Sequence, residues 1–363
     1  MPARFHLNPA ALSAAPLDGA GHGLLTWGKD VLRCWPHEYD CETENALWAH
    51  DAWPSFLGRA ANPVRDCSFE PYAMNYAFHA LYHWIPRGTS RDGKAVLFDV
   101  RSTDDIVRKQ QNFYRAMAYI KHYPVQRTED LQRDLGCCYG IYTQQVIPTI
   151  HSIAERMNFM DLALRLWEFN HTETFLERVT FAVDGFPIQV CRSSNAFLTR
   201  LLLSGKYKVF CVKGELMIAL GPGFPINYSG PHIGVKHDSP MWKEKQRLRA
   251  QLYKWEYGLG DKAYVGCREI LTEFKGKTGL TTEENEWNLT LQHYRGRVEH
   301  LIAEIVQSRN ALNTKWRGSF SLLAAILKIC AHMVALQERM KGPRYDVFGP
   351  WPVCPDHIVD AYG

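Results

Sequence analysis

The 363-residue sequence has 10 cysteines but no CxxC pair. Cys137 and Cys138 are adjacent and the others are scattered, which excludes a disulfide framework and points to reduced thiols in the cytosol or nucleus. The N-terminus lacks a charged segment followed by an apolar core, so no signal peptide is expected. The longest apolar run, Ser321–Leu336, is broken by Lys328 and His332; it is read as a buried helix, too short to span a bilayer, and no membrane partner is expected. Neither sign of charge dominates. The 42 Lys and Arg against 38 Asp and Glu leave a net charge of +4, so any polyanion partner must be held by local clusters. There is no internal repeat, and no biased segment beyond an Ala/Gly/Pro-rich start.

What remains is ordinary for a protein with a sizeable core. Hydrophobic residues make up 46% and charged residues 22%, and the length suits one large or two modest domains. Residues 1–25 read as a loose N-terminal arm. Residues 26–100 form an aromatic region that also carries Cys34, His37, Cys41, His50 and Cys67. A zinc site there competes with a plain aromatic core patch, and the spacings fit no common finger. Arg87–Lys94 reads as a surface loop. Residues 104–170 form a helical region. Its first helix, 104–124, has Ile106, Phe113, Met117 and Ile120 on its apolar face, with Lys109, Arg115 and Lys121 outside. A helix-turn-helix is expected over 128–157. Thr128 starts its first helix, Gly136 stops it, and Val146, Ile150 and Ile153 line the second. Plain helical packing gives the same pattern.

An α/β domain is expected over 175–345, followed by a tail over 346–363. Its first strand runs Arg178–Val183, rich in apolar and β-branched residues, and ends on Asp184. Gly185 then permits a turn or a close approach. Lys206–Glu215 and Leu216–Pro225 read as two strands joined by a tight turn at Lys213-Gly214. Gly221 to Gly234 reads as a loop. A helix starts near Asp238 or Ser239 and runs through Met241, Leu248 and Leu252, exposing Lys243, Lys245, Arg247 and Arg249. A short strand, Tyr257–Tyr264, presents Asp261. The cap TTEE opens a long helix over about Thr282–Leu312, and a last helix, Ser319–Met340, closes the core. The order β-β-β-α-β-α-α is that of a ribonuclease H-like mixed sheet flanked by helices.

In such a sheet the first and fourth strands are neighbours, so Asp184 and Asp261 can meet. On the long helix Asn288, Arg295 and Glu299 stand at i, i+7 and i+11 and, at about 100° per residue, share one stripe. For Asp184 alone the competing reading is a turn residue, and for Glu299 it is a surface salt bridge to Arg295. Taken together, Asp184, Asp261 and Glu299 form a set of hard oxygen donors suited to two Mg²⁺ or Mn²⁺ ions. Two such ions about 3.5–4 Å apart can clamp the oxygens of a phosphoryl displacement. Lys243, Lys245, Arg247, Arg249, Lys262, Lys275 and Lys277 flank the acids and are candidate DNA-phosphate contacts.

The runs VDG at Val183–Gly185, HDSPMW at His237–Trp242, GDKAY at Gly260–Tyr264 and N-x6-R-x3-E at Asn288–Glu299 together resemble the DDE-superfamily endonucleases of the Harbinger transposase type. The resemblance covers roughly 105–345. It implies a ribonuclease H-like fold, Mg²⁺ as cofactor, a nuclear location, and cleavage with strand transfer at transposon ends in double-stranded DNA. It also implies a separate Myb-like accessory protein and a homo-oligomer. Asp238 is the rival to Asp261 as second acid; strand geometry favours Asp261 and leaves Asp238 as a helix cap or a supporting group, with Arg295 and Asn288 in supporting roles. The other reading is a domesticated, non-cutting descendant that binds DNA or a partner. Residues 1–100 have no counterpart in the family pattern.

Overall fold

The computed structural model describes residues 69, 73–74, 77–78, 81, 103–124, 128–166, 178–276, 279–342 and 344. The expected arm, nearly all of the aromatic Cys/His region with its zinc reading, Lys277 and the 346–363 tail lie outside the described residues. The chain divides into two compact units, with the main break between Met157 and Asn158.

The first unit is helical where described. Helix α1 (Thr103–His122) buries Phe113, Met117 and Ile120, as the period predicts. Arg115, expected outside, is half-buried. Its guanidinium donates to the Gly136 carbonyl at 3.3 Å, just past the end of α2 (Thr128–Leu135). Gly136 has φ 58°, the left-handed conformation that ends a helix. Helical backbone resumes at Tyr139, widens to a π-helical stretch at Tyr142–Val146, and returns to α3 (Ile147–Arg156). Pro148 lies in the first turn of α3, where its missing N–H costs least.

The second unit is a mixed five-stranded sheet with flanking helices, in the order β3-β2-β1-β4-β5. Strand β1 (Val179–Gln189) is longer than expected. It does not end at Asp184 but continues past it, because the antiparallel ladder to β2 (Cys211–Ala219) runs on to Gln189. A short helix, α4 (Ala196–Leu202), capped by Asn195, intervenes between them. The expected hairpin at Lys213-Gly214 is absent, and these residues lie in the middle of β2. Gly214 is there for room rather than for turning: a Cβ on it would stand 2.5 Å from the Phe186 ring across the ladder. The actual turn follows Ala219, with Gly223 at φ 77°. The predicted Gly/Pro loop is instead strand β3 (Pro225–Ile233). Its prolines are tolerated because β3 is an edge strand.

The single helix expected after 238 is two short ones, α5 (Asp238–Lys243) and α6 (Gln246–Arg249), broken at Lys245. Strand β4 (Tyr257–Leu259) pairs in parallel with β1 and with β5 (Ile270–Leu271). Helix α7 (Thr282–Gln307) opens on a full capping box: Thr281 accepts from the Glu284 amide, and Glu284 accepts from the Thr281 amide. It stops at Ser308, short of the expected Leu312. Helix α8 (Phe320–Lys341) is capped by Ser319. At 22 residues, the length expected from sequence, it is long and apolar enough to cross a membrane by length and composition. Yet 78% of its apolar window is buried in the protein, which makes it the core helix behind β3.

Within α8, His332 is buried and its Nδ1 accepts the Phe159 amide at 3.0 Å. Burial first, and the Lys328 ammonium second, push the pKa of its imidazole down to about 3. A histidine depressed in the folded state stays neutral while the unfolded chain takes up a proton below about pH 6.5. Its contribution is therefore complete above that pH and is lost as pH falls from there toward 3, at about 1.4 kcal/mol per unit. His332→Asn, which keeps an acceptor but does not titrate, is expected to flatten urea-denaturation stability between pH 6.5 and 4.5 relative to wild type. An unchanged slope would refute this.

Candidate active site

Asp184 lies where the two sides of β1 diverge. On one side β1 stays paired with β2, and Asp184 faces Leu216 across the ladder. On the other side β4 stops at Leu259, opposite Ala182. Carried two residues further, that parallel register sets Asp184 beside Asp261. The Asp184 carboxylate is buried and accepts from the Gly185 amide at 2.8 Å. Burial first, and the Asp261 charge second, push its pKa up to about 7, against the pull of Arg295 and Lys206. Asp261 caps the turn Lys262–Tyr264 through Oδ1, which accepts from the Ala263 amide at 2.9 Å. Its Oδ2 accepts from Lys206 Nζ at 2.8 Å.

The third acid arrives through an arginine. Arg295 Nη1 stands 2.6 Å from Glu299 Oε1 and 3.6 Å from Asp184 Oδ2, so one cation links the helix to the strand. The surface i,i+4 pair weighed for Glu299 does exist, but its arginine is mostly buried and points into the sheet edge. Glu299 itself is half exposed. Arg295 Nη2 also lies 3.9 Å from Glu273. Asn288 stands apart from the acids. It clasps Phe274, accepting its amide at 2.8 Å and facing its carbonyl, and so fixes the segment that carries Glu273 against α7.

Asp238 is not a helix cap. His237 holds that position, and Asp238 is the first residue of α5. Its carboxylate is 1% exposed and lies over Gly185, where an added Cβ would come within 3.0 Å of Oδ1. Oδ2 accepts from Lys206 at 3.1 Å. Oδ1 makes no hydrogen bond, and the Lys213 ammonium stands 3.5 Å from it. Lys206 therefore joins Asp238 to Asp261, as Arg295 joins Asp184 to Glu299.

Lys206, Tyr207, Lys213, Glu215 and Glu273 were not singled out from the sequence. Lys206 and Tyr207 were assigned to a strand, which hid a loop that folds over β1; the Tyr207 hydroxyl donates to the Gly185 carbonyl at 3.1 Å. Glu215 faces Gly185 across the β1–β2 ladder, is fully buried, and is ion-paired with Lys245. Two of the expected phosphate contacts are accordingly committed elsewhere. Lys245 is mostly buried on Glu215, and Arg249 holds Glu269 at 2.6 Å. Lys243, Arg247 and Lys275 are exposed, as is Lys262, which lies 3.4 Å from Glu273.

Residues 183–335 match the family model of the DDE superfamily endonucleases. The match begins one residue before Asp184 and ends within α8, so the matched stretch contains Asp184, Asp238, Asp261, Arg295 and Glu299. No curated protein and no solved structure matches the chain.

The donors present suit a divalent ion in kind. They are hard carboxylate oxygens, one of them buried without a hydrogen bond. Their arrangement is a different matter. Among the described residues no three His, Cys, Asp or Glu side chains converge on a common point. The acids are instead joined in pairs, Asp238 with Asp261 through Lys206 and Asp184 with Glu299 through Arg295.

Proposed function

We propose that the chain is a metal-dependent DNA endonuclease of transposase type, with Asp184, Asp261 and Glu299 as its carboxylate set. One observation carries this reading. The parallel pair Ala182–Leu259 stands two residues before Asp184 and Asp261, so both acids leave the same end of that pairing, close enough for the Asp261 charge to raise the Asp184 pKa, inside the stretch matched by the DDE endonuclease family. The strand order supports a ribonuclease H-like fold, and the motifs at Val183, His237, Gly260 and Asn288 support the Harbinger type.

Asp184, Asp261 and Glu299 would hold Mg²⁺ or Mn²⁺, two ions per site, with Asp238 beside them. Bound there, the ions supply Lewis-acid charge for phosphodiester displacement. The protein's part is to hold the acids rigidly. Burial fixes Asp184 on β1, the capped turn fixes Asp261, and the Asn288 clasp on Phe274 keeps α7 against the sheet edge. Arg295 is within reach of a phosphate once its carboxylates are otherwise neutralised. The exposed cations Lys243, Arg247, Lys262 and Lys275, together with Lys277, supply counter-charge to a duplex. The same reading takes in strand transfer at transposon ends, a homo-oligomer, a Myb-like accessory protein and a nuclear location.

The test is nicking of supercoiled plasmid, with and without a cloned element end, in Mg²⁺, in Mn²⁺ and in chelator. Ion-dependent conversion to open circle is expected. Retarded DNA on a gel with no nicking in either ion would instead identify a non-cutting descendant.

A further inference from the structure

Lys206 occupies an unusual place for a lysine. Its loop is closed at the base by a bridge between Leu203 and Phe210. Inside it, the Ser204 amide donates to Val209 O at 3.0 Å, the Lys208 amide donates to Ser204 O at 2.9 Å, and Lys208 takes φ 58°. Tyr207 ties the loop to β1 through the Gly185 carbonyl. The Lys206 backbone is thus held, and its ammonium sits between two acids, 2.8 Å from Asp261 and 3.1 Å from Asp238. Burial works against that charge, but the Asp261 and Asp238 carboxylates outweigh it and hold the proton more tightly than in free lysine. The side chain remains 37% exposed, so it can leave without unfolding its surroundings.

Resting on the metal-dependent reading above, we propose that Lys206 is a built-in counter-ion. It holds Asp238 and Asp261 together in the ion-free protein and must be displaced from Asp261 when a divalent cation binds. Carboxylates crowded at a sheet edge repel one another, and a tethered ammonium offsets that repulsion until an ion of higher charge replaces it. This accounts for a DDE site whose acids are linked through cations instead of converging on one point. It also implies that the ion-free site is assembled but closed, with metal affinity set by competition against the protein's own lysine.

The prediction concerns binding, not turnover. Lys206→Met keeps the aliphatic stem and removes the charge. Removing a competing charge this close is expected to tighten Mn²⁺ binding by about tenfold or more at low salt. Binding can be read from loss of the free-Mn²⁺ electron paramagnetic resonance signal and by calorimetry on the full chain. Lys206→Arg, which restores the charge, is expected to return the affinity to the wild-type value. Asp184→Asn and Asp261→Asn serve as controls for the site itself. If these controls abolish Mn²⁺ binding while Lys206→Met leaves it unchanged or weaker, the counter-ion role is wrong and the metal site stands. If wild type and Lys206→Met both fail to bind Mn²⁺, the metal-dependent reading falls and this proposal falls with it.

Discussion

Asp184→Asn and Asp261→Asn are each expected to lower ion-dependent nicking by about 10³-fold or more, since losing an ion ligand removes several kcal/mol of transition-state stabilisation and each 1.4 kcal/mol is tenfold. The amide keeps the shape of the carboxylate, so packing is preserved. For Asp184 the folded protein should melt no lower than wild type, because a buried neutral amide avoids the desolvation that burial imposes on the acid. Lost cutting with an unchanged or raised melting temperature would separate chemistry from folding. Glu299→Gln is expected to abolish cutting as well, but for a half-exposed side chain the structural consequence should be slight. Asp238→Asn is the informative comparison. If the reaction depends on the acids beside β4, it should retain more activity than Asp261→Asn. The reverse order would move the second catalytic acid from the Asp261 turn to the start of α5.

The parts of this site legible in the sequence were those built from local chemistry. The β-branched run into Asp184, the Thr281 capping box, Ser319 before α8, and the i, i+4 relation of Arg295 and Glu299 all reappear in the structure. So does the adjacency of the first and fourth strands, although β4 stops at Leu259 and Asp261 lies in the turn beyond it. What was hidden depends on partners distant in the chain. Gly214 looks like a turn residue until Phe186 is seen lying across it. Pro225 and Pro231 argue against a strand until β3 is known to be an edge. Lys245 and Arg249 have the pattern of a solvated basic face, yet each meets a glutamate 20 or more residues away. Lys206 had no local signature at all, since its meaning lies in two aspartates from other elements.

Removing the carboxylate of Glu256 is expected to be the most destabilising single change behind the sheet. Glu256 is 1% exposed and gathers three donors. Oε1 accepts from Arg165 Nε at 2.5 Å and from the Thr180 hydroxyl, and Oε2 accepts from the Tyr253 amide at 3.0 Å. Arg165 completes the group by donating to the carbonyls of Leu162 at 2.9 Å and Gln251 at 2.8 Å. The cluster thus ties the turn Leu162–Leu166 to the first residues of β1 and to the residue just before β4. Glu256→Ala would leave a buried guanidinium unpaired, at a cost of about 3–5 kcal/mol. Glu256→Gln keeps the acceptor and loses only the charge, and it should lie between Ala and wild type in urea midpoint. Replacing both partners, Arg165→Met with Glu256→Leu, is expected to recover much of the loss, because the penalty arises from a stranded charge and not from a missing attraction. A double variant as unstable as the two single changes added together would show that the ion pair itself sets the β1–β4 alignment. In that case nicking should fail along with stability, since the β1–β4 pairing ends two residues before Asp184 and Asp261 and both emerge from that end.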